Sequence, residues 1–203
     1  VYDGEEIQKP TITYKDMDKH AGRISYTYYV MEKDGVTYTP ISYNPSKAGN
    51  YKLVITPNNA GEYTNYTAIT DKTNKLEYLF TIQKRPIAFN LSSFGQSKTM
   101  KVFDGLHLSI EISNANFVYV GNPTLPAIVN GDTAYGRLQT ISADVGVYSG
   151  FNTANPGLIQ WGSIGNGGFE IQTDKDDCYD IDWSTLVLEI LKANIDVEVS
   201  NID

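Results

Sequence analysis

The chain has little of what most chemistry-bearing proteins use. Its 203 residues include one cysteine, Cys178, together with two histidines and two tryptophans. A single thiol excludes an intrachain disulfide framework. His20 and His107 stand far apart, with no His-x-Glu or His-x-x-x-His spacing and no Gly-x-Ser-x-Gly elbow near a serine, so neither a zinc site nor a hydrolase triad is written in the sequence. Positive charge is scarce as well. Sixteen Lys and Arg face 24 Asp and Glu, a net charge of -8, and that field repels nucleic acid. No apolar run approaches the roughly 20 residues of a membrane-spanning helix.

Strand-forming residues are abundant: 15 tyrosines and many short alternating runs bounded by Gly, Pro, Asn or Asp. "ISYTYYVMEKDGVTYTPI" (24–41) predicts a hairpin turning at Asp34-Gly35, a pair that tolerates tight-turn geometry. "TITY" (11–14), "NYKLVITP" (50–57), "HLSIEIS" (107–113), "NFVYVG" (116–121) and "FEIQT" (169–173) predict further strands. No segment demands a long helix.

The chain also repeats itself. It begins "VYDG" (1–4), and "KVFDG" (101–105) returns midway along. "AGNYKLVI" (48–55) is answered by "DVGVYSG" (144–150), both carrying Gly-x-Tyr at the head of a segment. "LEYLFTIQKRPIAF" (76–89) is answered by "STLVLEILKANIDV" (184–197), and aligning Lys84 with Lys192 pairs Ile82 with Ile190 and Phe80 with Leu188. Landmarks recurring in one order indicate duplication, with loops of different length on a shared framework. "STLVLEILKAN" alone reads as a helix, but its partner carries aromatic residues and ends at Pro86, so both are read as strands. Tyr2 and Phe103 are each expected to plug a ring into their unit's core while Asp-Gly turns the chain.

These motifs, with "NAGEY" (59–63), "VNGDTA" (129–134) and the junction "FTIQKRPI" (80–87), resemble the MBG and YDG-type repeats of large bacterial surface proteins. The resemblance implies an all-β fold of two tandem Ig-like antiparallel β-sandwich domains. One covers residues 1–84 without its lead-in strand; the second covers 85–193, with an insertion at 149–168; residues 194–203 begin a following unit or a tail. On this resemblance the chain is expected to be cut from a longer array, since the first unit would otherwise carry its own lead-in strand. The family has no catalytic residues, so the resemblance implies a protein that is not an enzyme and carries no cofactor.

Two places in the sequence are candidates for binding. The carboxylates Asp174, Asp176, Asp177 and Asp180 form a candidate calcium ligand set, yet the spacing is not that of an EF-hand, with Tyr179 where the loop glycine belongs and Thr185 at the twelfth position. A solvated acidic turn leading into a strand is the competing reading, and the stronger one. Trp161, placed in the Gly-rich loop "WGSIGNGG" (161–168), is the candidate sugar-stacking residue, whereas Trp183 is expected to open a strand and pack in the core. The combined expectation is a stalk, spacer or adhesion segment of an extracellular bacterial surface or secreted protein. Its partners would be neighbouring repeats of the same chain and a surface glycan or protein, with no nucleic acid and no membrane insertion. The alternative is a carbohydrate-binding module working through the insertion around Trp161.

Overall fold

The computed structural model describes residues 1–10, 24–57, 76–95, 99–149, 159–161, 170–171 and 176–195. Among these the regular structure is predominantly strand with short 3-10 turns, and no helix is long and apolar enough to cross a membrane. The fold is all-β, built from several small sheets. The chain divides into two units: one holds Val1–Arg85 together with Asp177–Tyr179, the other Pro86–Asp176 and Asp180–Asp203.

The first unit is a four-stranded antiparallel sheet in the order β2-β1-β3-β4, from β1 (Ile24–Met31), β2 (Tyr38–Ile41), β3 (Gly49–Pro57) and β4 (Leu76–Ile82). The β1–β2 hairpin turns where the sequence placed it. Asp34 Oδ1 accepts from the backbone N–H of Val36 at 2.9 Å and of Thr37 at 2.8 Å, and the Thr37 hydroxyl donates to Oδ2 at 2.5 Å. These bonds, the Thr37 hydroxyl first, hold the Asp34 carboxyl below the usual carboxylate range. Alternation along β3 turns Tyr51, Leu53 and Ile55 inward, where Leu53 and Ile55 join Tyr28 in a core lined by Tyr26, Ile41, Leu76 and Phe80. Phe80 stacks on Tyr51 at 5.5 Å between ring centroids and meets Tyr28 edge-on at 6.2 Å. The Tyr28 hydroxyl is buried without a hydrogen-bond partner, and burial pushes its pKa up.

Among the described residues the second unit contains three sheets. β10 (Gly146–Ser149), β14 (Val187–Leu191) and β6 (Met100–Val102) form one, with β14 antiparallel to β10 and parallel to β6. β9 (Ala134–Thr140) is the hub of another: β7 (Ser109–Ser113), β11 (Ile159–Trp161) and β12 (Glu170–Ile171) all pair with it antiparallel. β5 (Arg85–Phe89) lies between β13 (Tyr179–Asp182) and β8 (Phe117–Tyr119) in the third. Phe89, Phe117 and Trp183 converge there, with centroids 4.8 Å apart for the first pair and 5.3 Å for Phe89 and Trp183.

Within "STLVLEILKAN" the segment Val187–Leu191 is a strand despite the helix formers around it, because β14 is paired along both edges while Leu188 and Ile190 are fully buried on one face. Tertiary pairing overrides intrinsic propensity here. Three expectations are corrected. Trp161 is the last residue of β11, paired opposite Leu138, and not part of a loop, because the short apolar run "IQW" completes the edge of β9. Trp183 does not open a strand: it starts a 3-10 turn (Trp183–Thr185), since Asp182 Oδ1 accepts from the Ser184 N–H at 3.0 Å and caps that turn. Phe103 is 42% exposed and not plugged into a core. The strand expected at 11–14 lies outside the described residues, as does most of the segment 194–203.

Candidate functional site

The two Asp-Gly motifs fold alike. Glu5 N–H donates to Asp3 Oδ1 at 3.0 Å, and Leu106 N–H donates to Asp104 Oδ1 at 2.9 Å, so each Asp closes a short side-chain turn two residues long. The following glycines have φ of 84° at Gly4 and 80° at Gly105, a conformation that a side chain resists. The residue before each Asp is anchored identically: Tyr2 N–H donates to Gln83 O at 2.7 Å, and Phe103 N–H donates to Leu191 O at 2.8 Å. Gln83 and Leu191 are the residues matched by aligning Lys84 with Lys192.

The Gly-x-Tyr strands agree as closely. Gly49 pairs with Ile82 and Tyr51 with Phe80; Gly146 pairs with Ile190 and Tyr148 with Leu188, the same register in both units. Each tyrosine hydroxyl reaches back to the carbonyl four residues earlier, Tyr51 to Lys47 O at 2.9 Å and Tyr148 to Asp144 O at 2.6 Å. The ring lies across the glycine two residues before it: a Cβ at Gly49 would stand 3.4 Å from the Tyr51 ring, and one at Gly146 would stand 3.8 Å from that of Tyr148. Each hydroxyl bonded back to upstream backbone has the geometry of a tyrosine corner.

What surrounds the two turns differs. In the first unit Tyr2 is fully buried and meets the Tyr179 ring edge-on at 5.5 Å. Arg85, itself buried, donates from Nη1 to Tyr2 O at 3.3 Å, and Ala48 N–H donates to the Cys178 sulfur at 3.4 Å. The acidic turn therefore works structurally in this unit, with Cys178 and Tyr179 almost wholly buried. In the second unit Lys101 Nζ donates to Asp104 Oδ1 at 2.6 Å and to His107 O at 3.1 Å, and this lysine holds the Asp104 carboxyl below the usual carboxylate range.

The residues proposed for binding are described only in part. Asp176 opens a 3-10 turn (Asp176–Cys178); Asp177 and Asp180 are exposed; Asp174 lies outside the described residues. Among the described residues no group of three or more His, Cys, Asp or Glu is placed to hold a metal ion. Trp161 sits in register on β11, and its side chain lies outside the described residues. His107 Nδ1 lies 2.7 Å from Thr140 O, so this nitrogen carries the proton and ties the start of β7 to the end of β9.

Sequence reasoning missed an open groove of about 700 Å³ in the second unit, lined by Asn90, Asn114, Phe117, Pro126, Asn130 and Asp132 among others. Its volume suits a small ligand. The Asn114 amide in its lining is engaged in holding the loop. Asn114 Nδ2 donates to Asp132 O at 3.1 Å and its Oδ1 accepts from Ala134 N–H at 2.5 Å, while Asn116 Oδ1 accepts from Ser113 N–H at 2.7 Å. Asp132 is the ionisable side chain among the described lining residues, so the groove holds no pair of acid and base for proton transfer there. The "VNGDTA" motif marks this loop, and its sequence signal is that of a turn and not of a ligand site. No family model, curated protein or solved structure matches the chain.

Proposed function

We propose that the chain is a pair of tandem Ig-like β-sandwich modules of the MBG and YDG repeat type, serving as a non-enzymatic stalk, spacer or adhesion segment of a bacterial surface or secreted protein. The observation that carries this reading is the double match of side-chain turn and tyrosine corner in one register. Asp3 and Asp104, Tyr51 and Tyr148, and the strands beside them repeat as units. A module that is duplicated whole, with its turns and anchors intact and its loops altered, suits a part whose task is to extend and present. Function here rests on the site geometry and on analogy with repeat architectures.

Its partners on this reading are other repeats of the same kind and a surface glycan or protein reached through loops. The test is brief protease treatment of intact cells carrying the parent protein, followed by mass spectrometry of the released peptides. Release of peptides from this chain while cytosolic markers stay inside supports the reading. Full protection in intact cells, with cleavage only after lysis, overturns it.

A further inference from the structure

The two Asp-Gly turns share backbone geometry but differ in coverage, and the difference falls at matched positions. Tyr2 corresponds to Phe103, Ala48 to Val145, and Arg85 to Ala193. In the first unit these positions are occupied by the strap Asp177–Tyr179: the Tyr179 ring lies edge-on to Tyr2, the Cys178 sulfur accepts from Ala48 N–H, and Tyr2 is fully buried. In the second unit Phe103 is 42% exposed and Val145 43% exposed. Ala193 is exposed too.

The apolar character extends beyond the ring. β14 pairs Leu191 with Val102 on β6, and its register with β10 carries Val145 to the opposite side of Leu191. Strand alternation sets Val145, Leu191 and Val102 in one outward row, all exposed, beside the exposed Phe103. A row of aliphatic side chains ending in a phenyl ring is unusual for free surface and typical of a contact surface. Charge fits as well. Lys192 stands exposed at this end, as Lys84 does at the matched end of the first unit, and the strap begins with the exposed acidic residue Asp177.

We infer that the Phe103 end of the second unit is a docking surface for a strap of the Asp-Cys-Tyr type supplied by another repeat of the same kind, and that it binds as Asp177–Tyr179 binds the first unit. The tyrosine ring meets Phe103 edge-on, the small residue before it packs on Val145 and accepts from its N–H, and the acidic flank faces Lys192. The absence of a hydroxyl on Phe103 leaves the surface without a polar group to satisfy, so an aromatic ring is a sufficient partner. The inference rests on the repeat equivalence and on the proposed function, and it names what a further repeat would present to this surface.

The test uses the whole chain labelled with ¹⁵N and a synthetic peptide of residues 173–185, kept reduced, with amide shifts followed at Val102, Phe103, Val145 and Leu191. Saturable shifts at these four amides are expected, weakened at least tenfold by Tyr179→Ala in the peptide and by Phe103→Ser in the chain. Phe103 is exposed, so its serine variant should fold; Val145→Lys gives an independent disruption, and circular dichroism checks both. Absence of saturable shifts up to millimolar peptide overturns the inference. So do shifts confined to Tyr2 and Ala48, which mean exchange into the first unit alone, and shifts insensitive to Tyr179→Ala. A negative result here leaves the surface-module reading standing, since cell-surface proteolysis tests that reading separately.

Discussion

Tyr2 and Phe103 occupy the same step of the same motif, hydrogen-bonded to matched carbonyls and followed by matched glycines, yet one ring is fully buried and the other 42% exposed. The lesson is that the turn and the fate of its aromatic residue are set by different forces. The turn is held by a carboxylate two residues from the N–H it accepts. The ring's burial depends on Arg85 and Tyr179, which arrive from elsewhere in the chain.

The comparison can be broken most directly at the rings. Tyr2→Ala removes a fully buried aromatic side chain and is expected to destabilise the first unit by about 3 to 5 kcal/mol. Phe103→Ala, at an exposed position, should cost under about 1 kcal/mol. Urea denaturation of each variant checks this, and equal losses would show that Phe103 is buried in solution.

The glycines sharpen the shared part. Ala at Gly4 or Gly105 must take a positive φ, and each substitution is expected to cost about 1 to 2 kcal/mol. A Cβ at Gly105 meets nothing within 4 Å, so the backbone alone is responsible there. A loss at only one of the two sites, seen in the same denaturation assay, would mean that the turns are not equivalent.

Hydroxyl deletions give a smaller contrast with a sign built in. Tyr51→Phe and Tyr148→Phe each remove a corner hydrogen bond and should cost about 1 kcal/mol in their own unit. Tyr28→Phe removes a buried hydroxyl that has no partner and should leave stability unchanged or raise it by up to about 1 kcal/mol. Thermal melts of the three variants separate the two cases.

The smallest effect concerns Asp104. Its carboxyl is held low, first by the Lys101 hydrogen bond and then by the Leu106 N–H. A depressed folded-state pKa contributes stability above the ordinary carboxylate range, and this contribution is lost as pH falls through the lowered value. Carboxyl-detected NMR titration should show Asp104 ionised below the range of ordinary aspartates, and Lys101→Met should move it back up.

Much of the fold was legible where short-range chemistry dominates. The Asp34-Gly35 hairpin, the strands β3, β4, β5, β7 and β8, and the register of the repeat all follow from turn residues, alternation and order of landmarks. β9 was missed although three strands pair with it. Its inward residues are Ala134, Gly136, Leu138 and Thr140, mostly small or polar, so a hydrophobic alternation barely shows in "AYGRLQT". The acidic stretch around Cys178 was weighed as a metal site, and its structural use was invisible because Ala48 and Tyr2 lie far away in sequence.

The sequence by itself determined the repeated Asp-Gly turns and the matched order of landmarks in the two halves, because the groups involved lie within a few residues of one another or recur by duplication. Tertiary structure alone decided which ring is covered, which strand serves as hub and where Asp177–Tyr179 belongs. Burial depends on surfaces brought together across long stretches of chain, and no local pattern records which of them will meet.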